Sequence, residues 1–331
     1  MGKIKYILKN KGKFLNICLA KGITLAGKKF VLRQDHKEFS GTSIKRFGDK
    51  WFLLPKGKAL FKTFDGEYKP ELKEIRIINE LICASLASQM GIRHAEYEPA
   101  SYNEHTGLVT YNFLEINEKL LTLADFLSID DEYENNLLDI KNALKTYEQV
   151  GYILDSDEIL LNLYKILVFD ALTLQTDRNN FNINFIINNA THTLCLAPMF
   201  DNEFAFNSDF TLDLDPNMTI EEMIKQYSRE AKYINVQSER LGHEKTYIKN
   251  IISLCNIAKC NDKMKGFLLL SLKKLNISTA IKSVEDMGIY INEEYKAYLK
   301  SIVSHTKQLI AKELSKAPDE DTIYLYEELF K

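Results

Sequence analysis

The sequence predicts an α+β fold of two lobes, a small β-rich one followed by a larger, mostly helical one, and three observations carry that expectation. Short apolar runs at 30–32, 44–47, 51–54 and 59–64 are separated by turn signals such as Gly48-Asp49 and Pro55-Lys56-Gly57. One long helical pattern follows over 71–90, with Ile75, Ile78, Ile82 and Leu86 three and four apart and Gly91 at its stop. From about 116 onward the pattern is helical apart from a hairpin near 183–197. Two more strand runs, 95–99 and 108–111, flank the turn-like 103–107 and complete the first lobe. Clefts between such lobes are preferred ligand sites.

Composition narrows the class further. With 331 residues, 45% hydrophobic and 27% charged, the chain has enough apolar sequence for a large core, and wholesale disorder is excluded. The five cysteines (18, 83, 195, 255 and 260) form no CxxC pair, so neither a disulfide framework nor a four-cysteine zinc site is expected, and a reducing cytoplasm is the default. Cys255 and Cys260, with no His clustered near them, read as core thiols. No apolar run reaches the roughly 18 residues of a membrane helix. The longest candidate, 159–174, is interrupted by Asn162, Lys165 and Asp170. GxSxG, HExxH and Rossmann patterns are missing from the sequence.

The net charge of -3 hides an asymmetry. Residues 1–34 hold eight Lys and Arg33 with no acid, a local +9 that leaves -12 for the rest. That excess of acid makes nucleic acid an unlikely partner overall. The basic segment reads either as a solvated face docked on the acidic remainder or as an arm for a phosphate polymer, an anionic membrane or an acidic protein surface. The tail 313–331 is acidic and aromatic, suited to docking on the helical lobe or to a partner.

The stretch richest in chemistry is Asp177-Arg178-Asn179-Asn180-Phe181-Asn182, directly after the apolar helix 159–174. Residues 183–187 and 193–197 then read as an antiparallel hairpin around Asn188-Asn189-Ala190, leading into Ala197-Pro198-Met199-Phe200-Asp201. Such pairing brings Asp177, Asn182 and Asp201 together at the hairpin's open end. Two carboxylates and an amide are hard oxygen ligands of the kind that hold Mg²⁺ against nucleotide phosphates. Read on their own, the same residues also suit a plain turn between a helix and a hairpin.

Upstream, Lys62 alternates with apolar neighbours in the run 59–64 and projects from one face of a strand. Glu80 lies on a helix whose next turn is apolar, so its carboxylate needs a partner. No GxGxxG exists, and the best candidate for a phosphate-covering loop is Ser40-Gly41-Thr42-Ser43, where one glycine lets the backbone approach phosphate. Residues 108–113 occupy the interlobe position, where backbone groups can pair with an adenine.

The series helix, Asp-x-x-x-x-Asn, hairpin and Ala-Pro-x-Phe-Asp resembles the catalytic core of the HipA-like Ser/Thr protein kinases, a phosphoinositide 3/4-kinase-like branch of the protein-kinase fold. The resemblance spans about 40–205 with gaps and is sharpest over 168–201. It implies a bilobal kinase-like architecture: a basic segment at 1–34, an N-lobe at 35–115 with phosphate loop, Lys strand and Glu helix, and a helical C-lobe at 116–331 with catalytic loop and metal-binding hairpin. It implies ATP and Mg²⁺ as cofactors. Asp177 becomes the catalytic aspartate, Asn182 and Asp201 the metal ligands, Lys62 and Glu80 the phosphate-positioning ion pair, and Ser40, Gly41, Thr42 and Ser43 the phosphate loop, with Ser40, Thr42 or Ser43 as its autophosphorylation site. The family commonly has His where this chain has Asn179. Relatives of this kind act as toxins of toxin–antitoxin pairs or as effectors. The implied partners are therefore a protein substrate, such as a translation factor, an aminoacyl-tRNA synthetase or a host protein, and an antitoxin. The implied location is the cytoplasm, or a host cell after export. Two other classes are compatible with the residues: a nucleotide-binding pseudokinase serving as a scaffold, which Asn179 favours, and a kinase-fold enzyme acting on a small molecule or lipid headgroup.

Overall fold

The structure is a computed structural model that describes residues 23–25, 28–30, 50–54, 56–64, 72–102, 105–128, 137–175, 177–207, 219, 222 and 247–317. Ser40, Gly41, Thr42 and Ser43 lie outside those residues, as do the strand run 44–47, Cys18 and the tail beyond 317.

The first sheet is antiparallel, with strands β1 (Ile23–Leu25), β2 (Lys28–Phe30), β3 (Lys50–Leu54), β4 (Gly57–Thr63), β5 (Tyr97–Tyr102) and β6 (His105–Tyr111) in the order β2-β1-β5-β6-β4-β3. Charge alone places a boundary at 34, yet backbone pairing of β1 with β5 carries the sheet back into the basic segment. The runs expected at 95–99 and 108–111 are longer and shifted, because pairing of Tyr102 with His105 closes a hairpin tighter than the turn expected at 103–107.

Alternation along β4 sorts its side chains. Ala59 and Phe61 face a small core with Phe52, Leu54, Ala100 and Val109. Lys62 pairs in register with Leu108, which belongs to the other, larger core, so Lys62 points toward that side. Gly107 stands beside Lys62 on β6, and a Cβ there would lie 2.2 Å from the Lys62 carbonyl oxygen.

Helix α1 (Leu72–Met90) fills the place expected for 71–90. The three-and-four spacing implies one apolar face, but every residue from Ile75 to Cys83 is buried. The helix is clasped between the first sheet and α7 (Ile277–Asp286), and it shares one continuous core with the helices of the larger region. Burial on all sides forces Arg76, Asn79 and Glu80 to find polar partners inside the protein.

The larger region contains α2 (Leu123–Leu127), α3 (Leu137–Gln149), α4 (Ser156–Thr173), α5 (Tyr247–Cys260), α6 (Asp262–Lys274), α7 and α8 (Glu293–Leu314). Side chains of Asp155, Asn261, Asn276 and Asn292 cap the N-termini of α4, α6, α7 and α8, each worth about 1 kcal/mol. The hairpin expected at 183–197 is present as β8 (Asn184–Asn188) and β9 (Thr193–Leu196). A third strand, β7 (Glu118–Thr122), pairs with β8 where the sequence reads as helical. Its run Leu120-Leu121 is too short to reveal a period, and tertiary pairing decides its form. No helix among the described residues is long and apolar enough to cross a membrane.

The close approach at Gly107 fixes how β6 lies against the Lys62 backbone. Gly107→Ala should destabilise the protein by about 1–3 kcal/mol through overpacking, measured as a lowered urea midpoint with unchanged m-value.

Candidate active site

The site forms where β4, α1, the loop after α4 and the segment after β9 meet. Lys62 Nζ lies 3.0 Å from Glu80 Oε1 and 3.1 Å from Glu203 Oε2, and it donates a hydrogen bond to Asp201 Oδ1. Burial alone would pull the Lys62 ammonium's pKa down, but Asp201, Glu203 and Glu80 outweigh that and hold it well above the ordinary lysine value. Burial pushes the Glu80 carboxyl up against the opposing pull of Lys62. The second Glu80 oxygen accepts from the Asn202 backbone N–H at 2.9 Å, which pins the helix to the residue after Asp201.

Asp201 itself has a left-handed backbone, φ 62°, an uncommon state for a residue other than glycine. Two buried side chains hold it there. Its N–H donates to the Tyr97 hydroxyl at 3.3 Å, and its carbonyl accepts from Gln175 Nε2 at 3.2 Å. Gln175 Oε1 in turn accepts from the Asp177 N–H at 3.2 Å, so a single amide joins the two aspartate segments.

Asp177 is braced by two asparagines. Asn179 Nδ2 donates to its Oδ1 at 2.9 Å and Asn182 Nδ2 to its Oδ2 at 3.1 Å. Two amide donors, one on each oxygen, fix the plane of the carboxylate. Asn179 also accepts from the Phe181 N–H through Oδ1, so it shapes the loop as well as the acid.

Beneath the loop lies Arg178, the largest fully buried side chain of the described residues. Its guanidinium pairs with both oxygens of Asp170 on α4 at 3.0 Å, donates to the carbonyls of Asn182 and Phe200 at 3.2 and 3.0 Å, and donates to Asn202 Oδ1 at 2.6 Å. Burial pushes the Asp170 carboxyl up, and Arg178 draws it back. One guanidinium nitrogen therefore holds Asn182, two residues before β8, and Phe200, the residue before Asp201, side by side.

The structure thus brings together Lys62, Glu80 and Asp201, and joins Asp177 with Asn182. Arg178, Asp170, Gln175, Tyr97 and Glu203 are contributors that the sequence reading passes over. Asp170 had a signal, since an acid within an apolar helix needs a buried partner and Arg178 is the first cation that follows it in the sequence. Glu203, between Asn202 and the run Phe204-Ala205-Phe206, carries the same kind of signal.

Glu80, Asp201 and Glu203 place a carboxylate oxygen each within 4.8 Å of one another, a donor set that suits a hard divalent cation. The cation standing among them is the Lys62 ammonium. Asp201, 29% exposed against 0% and 2% for Glu80 and Glu203, is the most exposed member of that set. Phe113, in the 112–117 link between the two sheets, packs on Phe200 with ring centroids 6.1 Å apart, beside the same turn.

Removing one partner of a buried ion pair leaves the other charge uncompensated. Asp170→Ala should cost about 3–5 kcal/mol in chemical denaturation.

No family model matches the sequence, and no curated protein matches it. Among solved structures, the chain is similar to the Helicobacter pylori proinflammatory kinase CtkA, with a TM-score of 0.60 at 14% identity over 86% of this chain and 95% of that one. The HipA of the Shewanella oneidensis MR-1 toxin–antitoxin system, solved with HipB and operator DNA, gives a TM-score of 0.45 at 13% identity over 84% of this chain and 66% of that one. A small sheet-rich region set against a larger helical part, matched over nearly the whole of CtkA, gives this chain a kinase-like fold, as the resemblance to the HipA-like kinases leads one to expect.

Proposed function

We propose that the protein is a Mg-ATP-dependent Ser/Thr protein kinase. The observation that carries the reading is the convergence of Lys62, Glu80 and Asp201 from β4, α1 and the turn after β9, tied through Gln175 to an Asp177 held by two amides. Lys62, oriented by Glu80, is the group for the nucleotide phosphates. Asp201, the most exposed of the carboxylates around Lys62, and Asn182, whose backbone Arg178 holds beside Phe200, are the residues to hold Mg²⁺, which when bound offsets phosphate charge.

Asp177 orients the acceptor hydroxyl and takes its proton at a carboxylate oxygen. Asn179 and Asn182 hold that carboxylate in place. The amide of Asn179 therefore does a positioning job at the acid, which supports an active kinase over a nucleotide-binding scaffold. A protein substrate presenting a Ser or Thr hydroxyl is the acceptor in this reading.

Asp177→Asn should retain nucleotide affinity by calorimetry while phosphate transfer to protein falls by about two or more orders of magnitude. An equal loss of affinity would make Asp177 a nucleotide ligand instead. Intact-mass measurement after incubation with Mg-ATP tests the activity itself, with phosphate on protein expected and phosphate only on a small molecule or lipid headgroup opposing it.

Autophosphorylation belongs to the same proposal. Ser40, Thr42 and Ser43 place three hydroxyls within four residues of the phosphate-loop candidate. A phosphoryl group there adds about -1.5 to -2 charge where nucleotide phosphates gather, and repulsion then lowers activity. Peptide mapping after prolonged incubation with Mg-ATP should find phosphate within 39–45 on an inactivated enzyme, and a fully active modified enzyme would remove the mechanism.

A further inference from the structure

Kinases of the protein-kinase fold place glycine two residues after the metal-binding aspartate, in Asp-Phe-Gly. This chain has Asp201-Asn202-Glu203. The side chain of Glu203 is buried, 2% exposed, and points into the site between two cations. Its Oε2 lies 3.1 Å from Lys62 Nζ, and its Oε1 lies 3.9 Å from Arg76 Nη1.

An ammonium has three N–H donors. Around Lys62 stand three carboxylates, Glu80, Asp201 and Glu203. A phosphate oxygen that is to receive a hydrogen bond from Lys62 must therefore take the place of one of them. Glu80 is fixed, because its other oxygen holds the Asn202 N–H and its helix is buried on all sides. Asp201 is the most exposed of the three, and a metal ion would engage it. Glu203 has a second cation, Arg76, already facing its other oxygen at 3.9 Å.

Arg76 is well placed to receive that charge. It lies one helical turn before Glu80 on α1, it is 5% exposed, and its guanidinium stacks on the Phe204 ring at 4.4 Å. The Glu203 backbone is anchored independently. Its carbonyl accepts from Asn79 Nδ2 at 3.2 Å, and Asn79 Oδ1 accepts from the Tyr295 hydroxyl of α8 at 2.5 Å. A held backbone with a side chain between two cations is a switch that needs only a rotation of the carboxylate.

We propose that Glu203 is a built-in competitor of nucleotide phosphate for Lys62, and that loading of the site transfers Glu203 from Lys62 to Arg76. This rests on the reading of Lys62 as the phosphate-binding group. It deepens that reading by assigning the affinity of the site to a residue other than the proposed Mg²⁺ ligands Asp201 and Asn182 and the proposed catalytic Asp177. Glu203 acts through Lys62 and is a positioning residue.

The test is calorimetric titration of the full chain with the non-hydrolysable ATP analogue AMP-PNP in the presence of Mg²⁺. Glu203→Gln keeps size and hydrogen bonding but removes the competing charge, and it should tighten binding by about tenfold. The same substitution in a Lys62→Met background should give no gain. Arg76→Gln, which removes the receiving cation, should weaken binding about tenfold, and this arm decides the matter where Glu203→Gln does not fold. Unchanged or weakened binding by Glu203→Gln, a gain that persists without Lys62, or unchanged binding by Arg76→Gln overturns the inference and leaves the kinase reading standing. Absence of binding by the wild-type protein and every variant overturns both.

Discussion

Arg178 is the interaction on which the geometry of the site depends. A guanidinium cannot shed its charge in a protein interior, so burying it commits the surrounding chain to supply acceptors. Asp170 neutralises it, and the Asn182 and Phe200 carbonyls and the Asn202 amide use the remaining donors. Those partners come from α4 and from the two ends of the β8–β9 hairpin. The ion pair need not add net stability over an apolar core to matter here. Its contribution is specificity: any displacement of the Asp177 loop relative to Asp201 would strand a buried donor.

A second constraint acts from above, through α1. Because this helix is buried on all sides, its polar residues are forced to serve as connectors. Glu80 reaches both Lys62 and the Asn202 N–H, Asn79 holds the Glu203 and Ala205 carbonyls, and Arg76 faces Glu203. The last long helix completes the clamp, with the Tyr295 hydroxyl on Asn79 and the Tyr298 hydroxyl on the Phe206 carbonyl. The segment from Asp201 to Asn207 is thus gripped by α1 and α8 together. Such a grip explains how Asp201 and Phe206 keep left-handed backbones that their own side chains disfavour.

The sheet-rich and helical regions meet where the charges do. Lys62 from the first sheet is surrounded by carboxylates from α1 and the turn after β9, so the cation and its anions belong to different layers of the fold. Closing that charge cluster couples the packing of β4 against α1 to the conformation of the turn.

Local pattern was enough to read α1, α4, β3, β4 and the β8–β9 hairpin, because each carries a period or a turn signal within its own length. The spacing from Asp177 to Asn182 and the Ala-Pro-x-Phe-Asp run marked the candidate site, and an acid beside an apolar turn marked Glu80 as needing a cation. Local pattern failed at β7, whose form depends on pairing with β8, and at β1 and β2, where high positive charge masked strands that join the first sheet. It also failed for Arg178, Gln175, Tyr97 and Glu203. The sequence by itself determined which charged and amide side chains were available to the candidate site and on which elements they ride. Only the tertiary structure decided which buried charges face one another, because burial and partner choice are set by elements far apart in the chain: Lys62 and Glu203 are brought within 3.1 Å by the packing of a sheet, a helix and a turn that no local period records.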